Sequence, residues 1–168
     1  WLALLDTAVA STGNAVFITD AEARIKWANP AFIRLSGYSL EEIAGKAPSI
    51  FQSGEQDADF YHRFWQTLQS GQVWHGELVN LQRDGTRYVV NQTVTPLKDG
   101  NGVIGHYVSV LEDITDRKAK EAKIEYLANF DALTGLPNRR LLFDRLGQII
   151  SLARREGSVG VLLFLDLD

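Results

Sequence analysis

The chain has 168 residues, of which 45% are hydrophobic and 23% charged, and its net charge is −4. The 4 Trp, 5 Tyr and 8 Phe exclude a disordered chain, and the absence of cysteine excludes disulfides, thiolate zinc sites and a cysteine nucleophile. No apolar run approaches the ~20 residues of a membrane-spanning helix. Residues 1–116 carry 8 Lys/Arg against 14 Asp/Glu, and residues 117–168 carry 9 against 7. An acidic first part argues against nucleic acid, because phosphate neutralisation needs a basic face. The chain begins on Trp1 and ends in an apolar run, which reads as a piece of a longer protein. A cytoplasmic setting is the expectation.

In chain order, Leu2–Val9 predicts a short amphipathic helix. Ala15–Thr19 and Arg24–Ala28 predict strands around a turn at Asp20–Ala23. Asn29-Pro30 opens a short helix, with a capping amide followed by a pre-set φ, and Gly37 closes it. Ser39-Leu40-Glu41-Glu42 is a capping box for a second helix ending at Gly45. Asp57–Ser70 predicts a longer helix, with Phe60, Phe64 and Leu68 on one face. The period then becomes two. Val73–Gln82, Arg87–Leu97 and Val103–Leu111 predict antiparallel strands, joined at Asp84-Gly85 and Asp99–Gly102. Asp84-Gly85 predicts a turn with positive φ at both residues. This order gives an α+β domain with one sheet and helices on one face.

From Thr115 the chain reads as a charged helix. Ile124, Leu127 and Ala128 form a narrow apolar stripe suited to one partner helix, or to a solvated linker resting on its own domain. Gly135-Leu136-Pro137-Asn138 breaks it. Arg139–Arg155 predicts a further helix with Leu142, Leu146, Ile149 and Ile150 inward. Gly157 closes that helix, and an apolar strand begins an α/β unit.

Several strings now carry a resemblance. Val16-Phe17-Ile18-Thr19-Asp20, Trp27-Ala28-Asn29-Pro30-Ala31-Phe32, Gly37-Tyr38-Ser39, Arg83-Asp84-Gly85-Thr86, Thr95-Pro96-Leu97 and Asp113-Ile114-Thr115 resemble a PAS sensory domain. The resemblance implies a five-stranded antiparallel sheet, a cavity between sheet and short helices, and a homodimer through the PAS domain and linker helix. It assigns 1–114 to the sensor and 115–130 to the signalling linker.

Gly45–Gln52 is similar to the flavin-contacting stretch of light-sensing LOV domains, including Gln52, with Pro48 where those place a photoreactive cysteine. That substitution excludes the covalent photocycle. The resemblance implies that Asn80 and Asn91 read a flavin ring edge, since an amide both donates and accepts. Leu111 stands where LOV domains carry a flavin-reading glutamine. The segment around Trp65 and Trp74-His75-Gly76-Glu77 looks like redox-sensing PAS domains that hold FAD, and implies Trp65 beside the flavin. A small organic ligand, an empty cavity, or plain core roles for these residues are the alternatives. Haem held by His62 ranks behind them, because one histidine has no second supporting feature.

Asp131-Ala132-Leu133-Thr134-Gly135-Leu136-Pro137-Asn138-Arg139 and Phe164-Leu165-Asp166-Leu167-Asp168 look like the first part of a GGDEF domain, the catalytic unit of diguanylate cyclases. The resemblance covers 131–168. It implies GTP as substrate and Mg2+ held by the Asp166 carboxylate and the Leu167 carbonyl. The GGDEF signature itself lies beyond Asp168, so this stretch lacks an active site. The same wording occurs where GGDEF precedes an EAL phosphodiesterase domain. A non-catalytic dimerisation module with a degenerate GGDEF domain is therefore the second reading.

Overall fold

The computed structural model describes residues 13–163. The chain divides into two compact units, Trp1–Lys118 and Ala119–Asp168. The helix expected at Leu2–Val9 lies outside the described residues, as does the segment from Phe164 onward.

In the first unit, β1 (Ala15–Asp20), β2 (Ile25–Ala28), β3 (Trp74–Leu81), β4 (Arg87–Lys98) and β5 (Ile104–Asp113) form one five-stranded sheet in the order β2-β1-β5-β4-β3. Every pairing is antiparallel. Side chains alternate between faces with period two. In β4 this puts Tyr88, Val90, Gln92 and Val94 on the buried face and Val89, Asn91 and Thr93 on the other. Helices α1 (Pro30–Ser36), α2 (Leu40–Ile43) and α3 (Ala58–Gln69), with a 3-10 turn at Pro48–Phe51, follow β2 in the chain. No periodic pattern in the residues marks that turn. Phe17, Phe32 and Phe51 meet in the core, Phe32 standing 5.0 Å from Phe17 and 5.2 Å from Phe51 between ring centroids.

Asn29 joins sheet to helix. Its Oδ1 accepts from Phe32 N at 2.8 Å and from Val16 N at 2.9 Å, while Nδ2 donates to the Asn14 carbonyl at 3.0 Å. The capping box at Ser39 forms, but α2 ends at Ala44 rather than Gly45. Gly45 instead donates its N–H to the Ile25 carbonyl at 2.8 Å.

The hairpin at Asp84-Gly85 also departs from expectation. Only Gly85 has positive φ, at 86°. Gly85 N donates to Gln82 O, and Gln82 N to Thr86 O, so the loop is longer than a two-residue turn. The Asp84 carboxylate accepts from Thr86 N at 2.9 Å, which holds Asp84 outside the left-handed region.

Helix α4 (Thr115–Asn129) begins in the first unit and continues into the second, where α5 (Arg139–Glu156) follows. Asn138 caps α5 and Gly157, at φ 67°, ends it. Between them, Asp131 accepts from Thr134 N and Thr134 Oγ1 at 2.9 and 2.8 Å. The inward face expected of α5 is not covered: Leu142, Ile149 and Ile150 are all exposed. Residues 158–163 adopt no strand, and the rest of the expected apolar strand lies outside the described residues. No described helix is long and apolar enough to cross a membrane.

Candidate functional site

A cavity of about 270 Å³ lies between the inner face of the sheet and the helical segments. Its floor is Leu78 and Asn80 of β3, Gln92 and Val94 of β4, and Ser109 and Leu111 of β5. Its roof is Tyr61, Phe64, Trp65 and Leu68 of α3, together with Pro48, Ser49, Phe51 and Gln52 around the 3-10 turn. The helical period of three and four puts these α3 residues on one side, and the pleat puts the floor residues on one face.

The lining is mostly apolar, with a few polar groups of unusual standing. Asn80, Gln92 and Ser109 are 7%, 6% and 2% exposed. An amide and a hydroxyl each donate and accept, so the cavity offers a few polar groups inside an apolar slot, the usual design of a small-molecule site.

The remaining roof is aromatic. Trp65 stands edge-on to Phe64 at 5.2 Å and to Tyr107 at 5.9 Å between centroids. Phe64 also meets Trp74 at 4.8 Å. Across from Gln92, Gly76 leaves no room for a side chain: a Cβ there would sit 2.7 Å from the Trp74 ring. Burial pushes the hydroxyl pKa values of Tyr61 and Tyr107 up, which keeps both neutral. The lip is tied to the floor twice. Gln52 bridges antiparallel to Asn80, and Ser53 Oγ donates to the Val79 carbonyl at 2.6 Å.

Trp65, Asn80 and Gln52 thus come together at one cavity. Asn91 does not join them. It pairs in register with Glu77 on the opposite face, and the residues of β4 that reach the cavity are Gln92 and Val94. A one-residue displacement along a strand changes the face. Gln92 and Ser109 were missed, because a polar residue in an alternating strand reads as solvent-facing. The usable signal was phase: Tyr88, Val90 and Val94 share Gln92's parity.

Pro48 and Leu111 both line the cavity. His62 is on the exposed side of α3 and does not line it. His75 pairs with Thr93 Oγ1 at 3.0 Å on the far face of the sheet. Among the described residues no cluster of His, Asp and Glu could hold a metal ion. Asp166 and Leu167 lie outside the described residues.

Residues 13–116 match the family model of the PAS domain, and residues 128–168 match that of the diguanylate cyclase GGDEF domain. Among curated proteins, the nitrogen fixation regulatory protein of Klebsiella pneumoniae is 32% identical over 88% of this chain and 30% of its own length. The aerotaxis receptor of Escherichia coli is 27% identical over 94% of this chain and 31% of its own. A probable diguanylate cyclase of Escherichia coli is 26% identical over 94% of this chain and 14% of its own. The chain thus spans a third or less of the length of these relatives. An RNA-binding light-oxygen-voltage receptor aligns with TM-score 0.66 and 26% identity, over 75% of this chain and 36% of that one. The blue-light photoreceptor Aureochrome1 LOV, in its dark structure, aligns with TM-score 0.59 and 30% identity, over 73% of this chain and 94% of that one.

Proposed function

We propose, for a chain that belongs to the PAS domain family over residues 13–116 and carries the start of a GGDEF domain over 128–168, that it is the sensing and coupling part of a protein controlling cyclic di-GMP. The observation that carries this reading is the cavity with three buried polar side chains, Asn80, Gln92 and Ser109, under an aromatic roof.

FAD is the ligand we assign. Its isoalloxazine is a flat ring system with carbonyl acceptors and an N–H donor on its edge, and it would supply redox-dependent hydrogen bonding. Asn80 and Gln92 each offer a donor and an acceptor, and Ser109 adds a hydroxyl. Trp65 and Phe64 offer apolar faces beside the ring. A volume of about 270 Å³ suits the ring system and leaves the nucleotide part outside. Gln52 closes the lip.

The cavity reports outward through the end of β5. Thr115 opens α4, and its Oγ1 both accepts from Val89 N at 2.9 Å and donates to Asp113 Oδ1 at 2.6 Å. A shift of β4 or β5 on ligand binding therefore moves the start of α4. We assign the exposed Ile124 and Leu127 stripe to a homodimer, through which two output domains face each other with GTP. There Asp166 and the Leu167 carbonyl would hold Mg2+. The setting is cytoplasmic on this reading.

The test is the visible absorption spectrum of the purified chain after incubation with FAD and removal of free ligand. Retained flavin bands at one per chain are expected. A colourless protein would sink the flavin assignment.

A further inference from the structure

Tyr88 is the buried group that the reading above leaves unused. It lies on the inner face of β4, 2% exposed, and its hydroxyl has no hydrogen-bond partner among the described residues. Its register partner across β3 is Asn80. Register partners share a face, so the phenol and the amide lie side by side. We propose that the Tyr88 hydroxyl sets which end of the Asn80 amide is presented to the cavity. This inference rests on Asn80 reading a ligand edge.

An amide has one accepting and one donating end, and a phenol can serve either. When Tyr88 donates to Oδ1, Asn80 presents its Nδ2–H to the cavity and reads an accepting edge. When the amide is turned, Nδ2 donates to the Tyr88 oxygen and Oδ1 reads a donating edge. The phenol must stay protonated for the first arrangement. Burial drives its pKa well above the ordinary range, the Asn80 side chain opposes that, and the negative charge of Asp113 adds to it. Asp113 is also the carboxylate that holds Thr115 at the start of α4. Tyr88 is thus the register neighbour of the cavity's amide, and Val90, two residues along the same strand, is the register partner of Asp113. It is a positioning residue, acting on the ligand through Asn80.

A double-mutant cycle on the whole chain tests the pair without ligand, using Tyr88→Phe, Asn80→Ala and the combination. The expected loss in melting midpoint for the double variant is smaller than the sum of the singles by about 2–4 °C. Infrared spectra with labelled tyrosine give a readout that packing alone would not move. Asn80→Ala should shift one tyrosine C–O band, the one absent in Tyr88→Phe. FAD titration adds a further arm: Tyr88→Phe should weaken FAD about 3–10-fold in the otherwise unaltered chain and have no effect when Asn80 is Ala. Additive midpoints and an unmoved band overturn the proposal, even with FAD bound. A non-additive cycle in a chain that takes no FAD upholds the pair and removes only the flavin reading.

Discussion

Thr115 Oγ1 accepts the Val89 backbone N–H at 2.9 Å, just where β5 runs out as a partner for β4. The first residue of the outgoing helix therefore completes the sheet. Ile114 N donates to the Val89 carbonyl at 2.9 Å, so both backbone groups of Val89 are satisfied by the Asp113–Thr115 corner. Thr115→Val keeps the shape and removes the acceptor. It should destabilise the first unit by about 1–3 kcal/mol, because a half-buried N–H is left unpaired. Urea unfolding and faster amide exchange at Val89 check this, and unchanged exchange would contradict it.

The Asn29 side chain makes three hydrogen bonds from a position 1% exposed, one to β1, one to Asn14 just before it and one to α1. Asn29→Ala removes a helix cap and orphans Val16 N. The expected cost is about 2–4 kcal/mol, more than a surface cap alone. Thermal unfolding measures it, and a loss no larger than that of Ser39→Ala would refute the argument.

Ala23 sits at φ 59°, the one non-glycine residue with positive φ among the described residues, and it lines the cavity. A left-handed backbone costs an L-residue about 1–2 kcal/mol, and glycine returns part of that as unfolded-state entropy. Ala23→Gly should raise stability by about 0.5–1 kcal/mol. A denaturation midpoint that falls would show that the turn is relaxed as it stands.

These contacts separate what the sequence disclosed from what it did not. Asn29-Pro30 and Ser39–Glu42 are local signals, complete within four residues, and both caps form where they predict. Strand alternation is equally local, and it fixed the five-stranded sheet. Gln92 and Ser109 escaped because burial of a polar residue depends on the opposing layer, which the strand itself does not encode. Asn91 lies one residue from a cavity-lining position, and one residue along a strand reverses the face. On α5 the apolar stripe is present, and Leu142, Ile149 and Ile150 are exposed.

In the second unit, Thr134 N–H holds the Asp131 carboxyl below the usual carboxylate range, its hydroxyl adding to the effect. A lowered folded pKa means that this turn is fully formed above the unfolded value of about 3.9. Its contribution is lost as pH falls below that value and through the folded one. Thr134→Ala should bring the Asp131 titration back toward ordinary aspartate. Carboxyl NMR reads the shift, and an unmoved titration would contradict the assignment.

Ile124 is 67% exposed and Leu127 45% on α4, where the proposed homodimer places its helix contact. Replacing both by Lys should weaken self-association at least about tenfold while the PAS unit stays folded. Sedimentation of the chain measures this, and an unchanged dimer would remove the stripe from the interface.

On the proposed reading, the cavity under Trp65 receives a flavin ring. FAD fluorescence, titrated against the unmodified chain and against Ser109→Phe, tests it most directly. The buried Ser109 position aims the new ring into the cavity. Strong quenching of FAD by the unmodified chain is expected, and none by a folded Ser109→Phe variant. Equal behaviour of the two proteins, bound or unbound, would contradict it.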